Sequence, residues 1–72
     1  MNNTHRELAR QTFVLLNEIV EDAHEITIAG QSPKLMSNEI ADHALTLQQM
    51  SEDIGAMSAF LHCLSMREES HD

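Results

Sequence analysis

A chain of 72 residues supports one domain at most, and a core built from so few side chains is marginal unless something outside the chain completes it. Twelve acidic against four basic residues give a formal net charge of −8, which repels nucleic acid and anionic membrane surfaces at long range. Direct binding to either is therefore not expected, and two phenylalanines without tryptophan or tyrosine leave no platform on which single-stranded bases stack.

The first helix is announced by Thr4-His5-Arg6-Glu7, which reads as a capping box: the Thr4 hydroxyl and the Glu7 carboxylate would each satisfy a free backbone donor. Helix 1 is thus expected over about 4–29. Its apolar set, Leu8, Ala9, Phe13, Leu15, Leu16, Ile19, Val20, Ala23 and Ile26, falls on one broad face at helical spacing, with His5, Thr12 and Thr27 on the same side. Val14 and Ile28 lie off that face.

Ala29-Gly30-Gln31-Ser32-Pro33 then carries both marks of a helix-to-helix turn. Gly30 is suited to a left-handed C-terminal position, and Ser32 to capping a helix whose first residue is Pro33. So short a connection predicts an antiparallel hairpin.

Helix 2 is expected over about 33–66, along Met36, Ile40, His43, Leu47, Met50, Ile54, Met57, Leu61 and Leu64, which follow one another at alternating steps of four and three. That is a heptad seam, the pattern of a helix packed along another helix. Ser37, Ala44, Ser51, Ser58 and Ser65 repeat every seven residues on one flank and permit a close neighbour. Gly55 costs about 1 kcal/mol in a helix interior, but the seam keeps its phase through it. A continuous helix is favoured, with a bend or fold-back at Gly55 as the alternative.

Helix lengths complete the expected architecture. At about 39 Å for helix 1 and about 50 Å for helix 2, the second overhangs the first and leaves Phe60, Leu61, Leu64 and Met66 without a partner in their own hairpin. A second copy would cover them in a four-helix bundle, with Met50, Ile54, Met57, Phe60, Leu61, Leu64 and Met66 as the interface. The fold class is all-α, one helical-hairpin domain over 1–72 with frayed ends at 1–3 and 67–72.

Three further features suggest chemistry. Glu18, Glu21, Asp22 and Glu25 form an acidic ridge opposite the apolar face, with like charges four apart that weaken an isolated helix and that a basic protein surface would offset. Glu21 and His24 form an E-x-x-H pair which, with Glu39 and His43 level across the hairpin, could ligate a transition metal, although Glu21 points about 160° and His24 about 100° from the apolar face. His43 is the polar member of the seam, of the kind that fixes register or couples assembly to pH.

No catalytic constellation is visible. Cys63 lacks a positioned base, and the two glycines stand apart, so no phosphate-binding loop is present. A lone cysteine cannot pair within the chain and suits a reducing cytoplasm; the N-terminus has no signal-peptide core, and Phe13-Val14-Leu15-Leu16 is far too short to span a bilayer. The chain is expected to be a non-enzymatic interaction protein without cofactor: an adaptor, small chaperone or regulatory subunit in a homodimeric or heteromeric bundle. The alternatives are an acidic mimic that blocks a basic nucleic-acid-binding protein, and a metal-binding bundle.

Overall fold

Two helices, α1 (Asn3–Ala29) and α2 (Ser37–Ser70), pack side by side as an antiparallel hairpin 56 Å long in a computed structural model. Residues 3–70 are described, with side chains as far as Arg67, and no strand occurs among them.

The start of α1 differs from the expected capping box. The helix already contains Asn3 and Thr4, and the Glu7 carboxylate is engaged further along: it accepts Arg10 Nη2 at 2.6 Å, Arg10 Nε at 3.1 Å and Gln11 Nε2 at 3.2 Å. A charged donor three residues on, reached within the same helix, holds a carboxylate more strongly than a neutral backbone N–H does.

At its other end α1 needs no left-handed glycine, and none of the described glycines has positive φ. Each of its last four carbonyls accepts a donor. Gly30 N–H reaches Ile26 O at 2.9 Å, Gln31 Nε2 reaches Thr27 O at 3.2 Å, Gln31 N–H reaches Ile28 O at 3.1 Å, and Ser32 N–H reaches Ala29 O at 3.2 Å. The tightening last turn and one glutamine side chain together satisfy the groups that a left-handed cap would otherwise serve.

Ser32 and Pro33 begin a turn, not α2. The Ser32 side chain accepts Lys34 N–H at 3.2 Å and its carbonyl accepts Leu35 N–H at 3.3 Å, but the turn stops at Leu35, which is half-buried. The helical ladder opens afresh with Ile40 N–H on Met36 O at 2.9 Å, while the Glu39 carboxylate reaches back to Met36 N–H at 3.1 Å. This is the glutamate half of a capping box, with Met36 at the cap. At the far end α2 runs to Ser70, so Arg67 is helical where fraying was expected. Residues 1–2 and 71–72 of the expected frayed ends lie outside the described residues. Helix α2 passes through Gly55 unbroken, which settles the continuous reading against a fold-back.

Burial follows two matching seams. In α1 the half-buried residues are His5, Ala9, Thr12, Leu16, Ile19, Ala23 and Ile26; in α2 they include His43, Leu47, Met50, Ile54, Met57 and Leu61, and the series closes on Leu64, only 3% exposed. Both series step by four and three from end to end, as knobs-into-holes packing requires. Because the helices run in opposite directions, Ile26 and His43 are the turn-side ends of the two series, and His5 and Leu64 their far ends. Thr12 fits the seam because its hydroxyl turns back on its own helix, donating to Leu8 O at 2.8 Å, and beside the seam Thr46 donates to Asp42 O at 2.9 Å and Ser65 to His62 O at 2.8 Å.

This register moves the overhang to the opposite end of α2. The late start at Ser37 slides the pairing so that Leu61 and Leu64, expected to be uncovered, are half-buried and buried within their own hairpin. The seam positions left uncovered are those beside the turn, Met36 at 64% and Ile40 at 54% exposure.

Candidate interaction surface

Heptad letters place every other side chain. With Ala9, Leu16 and Ala23 of α1 and Leu47, Ile54 and Leu61 of α2 at a, and the remaining seam residues at d, positions e and b lie on one side of each helix, g and c on the other, and f outermost. In an antiparallel pair, like letters share a side of the hairpin. The molecule therefore has two distinct long sides.

The e/b side combines Phe13 and Val20 of α1, 59% and 52% exposed, with Ser37, Ala44, Ser51 and Ser58 of α2, which are small and exposed. The g/c side carries Leu8, Leu15 and Phe60, also exposed, interspersed with acidic residues. Phe60 is solvent-facing because it sits at g and Met66 because it sits at f, not because α2 outruns α1. Met50, Ile54, Met57, Leu61 and Leu64, expected at a subunit interface, occupy the seam of their own hairpin.

The charges are segregated by the same geometry. Between Asn3 and Arg67, Glu18, Glu25 and Asp42 stand at c, Asp22, Glu39 and Asp53 at g, and Glu7, Glu21 and Glu52 at f. The e/b side has no carboxylate over that span, although the chain as a whole carries −8. Of the acidic ridge, Glu18, Asp22 and Glu25 fall on the g/c side and Glu21 on the outer line, where it accepts Asn17 Nδ2 at 3.0 Å; all four are exposed. Hydrogen bonding from Arg10 holds the Glu7 carboxyl below its ordinary pKa, and Glu7 in turn raises that of Arg10.

The proposed metal ligands are not brought together. Glu21 is at f, His24 at b, Glu39 at g with its carboxylate on Met36 N–H, and His43 within the seam. Among the described residues, no three histidine, cysteine or acidic side chains are grouped so as to hold a metal ion. The matching level that sequence spacing implies is defeated by direction, since the four side chains leave their helices on different sides. Cys63 is exposed at c. An open depression lined by Arg10, Gln11, Val14 and Leu15 is built by α1 alone and encloses nothing. No described helix is long and apolar enough to cross a membrane.

The seam of α1 is a narrower line than the broad apolar face expected from the sequence: it keeps His5, Ala9, Thr12, Leu16, Ile19, Ala23 and Ile26 and leaves Leu8, Phe13, Leu15 and Val20 exposed. The acid-free side becomes visible only once that seam fixes the letters. No family model matches this chain, and neither does a curated protein or a solved structure.

Proposed function

We propose that this chain is a non-enzymatic helical interaction protein, an adaptor, small chaperone or regulatory subunit of the cytoplasm, whose hairpin is completed by a second hairpin in a four-helix bundle. One observation carries the reading: among the described residues Leu64 is the single buried hydrophobic side chain, while eleven large ones remain exposed. Two helices alone have given this chain almost no interior. Chains of this size reach useful stability by adding a neighbour, a metal or disulfides, and its lone cysteine forms no disulfide within the chain. Light scattering at micromolar concentration tests the reading. The expected result is a mass of twice 8.1 kDa, and a stably folded monomer would overturn it.

A second reading is favoured by the segregation of charge. The acidic residues line the g/c side and the outer edge of the hairpin, where they are free to meet a basic protein after assembly. Replacing Glu18, Glu21, Asp22 and Glu25 with their amides should abolish capture of a basic, nucleic-acid-binding protein from the native host. Undiminished capture by the amide variant would remove this mimic role.

A further inference from the structure

Resting on the assembly reading above, we propose that the acid-free e/b side, along Phe13 and Val20 of α1 and Ala44, Ser51 and Ser58 of α2, is the face on which a second copy of this chain docks. Charge decides between the two long sides. Two bodies of −8 each repel, so the contact that forms between them is the one that brings no carboxylates together. Between Asn3 and Arg67 the e/b side offers none, whereas the g/c side would set Asp22, Glu39 and Asp53 against their own counterparts.

Shape points to the same side and to this occupant. Phe13 and Val20 stand proud along one helix, and Ala44, Ser51 and Ser58 form a shallow row along the other. A two-fold axis lying in the interface and parallel to the helices lays the ridge of each copy over the small residues of its mate, so one patch supplies both halves of an isologous contact. Its extent is sufficient. A side 56 Å by 15 Å offers on the order of 800 Å² per copy, the area that each partner contributes to a standard stable interface.

Sedimentation equilibrium of the full chain tests the proposal with two charge-matched double variants. Ser51→Glu with Ser58→Glu adds two carboxylates to the proposed face; Gln49→Glu with Ala56→Glu adds two to the opposite side of the same helix at nearly the same levels. All four positions are exposed, so both variants should keep the helical content of the parent by circular dichroism. The expected result is a dimer dissociation constant raised at least about tenfold by the serine pair and less than about threefold by the control pair. A dimer that survives the serine pair, or that the control pair weakens as much, overturns the docking face and leaves assembly standing. A monomeric parent chain overturns both.

Discussion

The Glu39 carboxylate accepts the backbone N–H of Met36 at 3.1 Å, three residues apart across the first turn of α2. That bond caps the helix and places a negative charge at its N-terminus, where the helix dipole favours it. It also accounts for why α2 begins at Ser37 and not at Pro33. Glu39→Ala should fray this turn and cost about 1 kcal/mol in thermal unfolding. Ser32→Ala should cost less, because Ser32 caps only the isolated turn before Leu35. The reverse order would place the start of α2 back at Pro33.

Gly55→Ala should stabilise the fold by up to about 1 kcal/mol. The glycine is inside a continuous helix, has no positive φ, and a Cβ added there meets nothing within 4 Å. Thermal denaturation measures the gain, and a lowered melting temperature would contradict the unbroken path of α2.

Leu64→Ala should cost about 2–3 kcal/mol, enough to unfold much of a protein this small. Leu64 closes the seam near the N-terminal end of α1 and is the best-covered residue described. Ile40→Ser should change the unfolding free energy by less than about 0.5 kcal/mol, since Ile40 extends past the paired seam. Equal losses at the two positions would mean that the register is wrong.

Acid titration should show Glu7 ionising below its value in the unfolded chain, chiefly through the hydrogen bond from Arg10. A carboxyl with a depressed folded pKa contributes stability above its unfolded pKa and loses it as pH falls through the folded one. Glu7 is exposed to solvent, so the contribution is small. Carboxyl NMR shifts report it directly, and an unchanged titration of Glu7 after Arg10→Gln would show that the contact is not formed.

Raising the salt concentration should tighten self-association. Each copy carries −8, and screening weakens the repulsion between them. Light scattering from about 0.02 M to about 0.5 M salt should show the dimer forming at lower protein concentration. Dissociation on adding salt would instead indicate an interface held by ion pairs.

The two helices and their antiparallel return were already legible in residue spacing. Heptad spacing is a local property, and the Gly30-to-Pro33 interval interrupts it whatever the rest of the chain does. It likewise carried α2 through Gly55, because the seam stays in phase there. The register was set by the packing of one helix on the other. Gln31 closing the end of α1 and Glu39 capping at Met36 are choices among competing hydrogen bonds, and together they slide α2 so that Leu61 and Leu64 are enclosed and Met36 and Ile40 are left out. The same register determined that the metal candidates diverge and that the carboxylates leave one long side bare. Composition counts those charges, but only packing assigns each to a side.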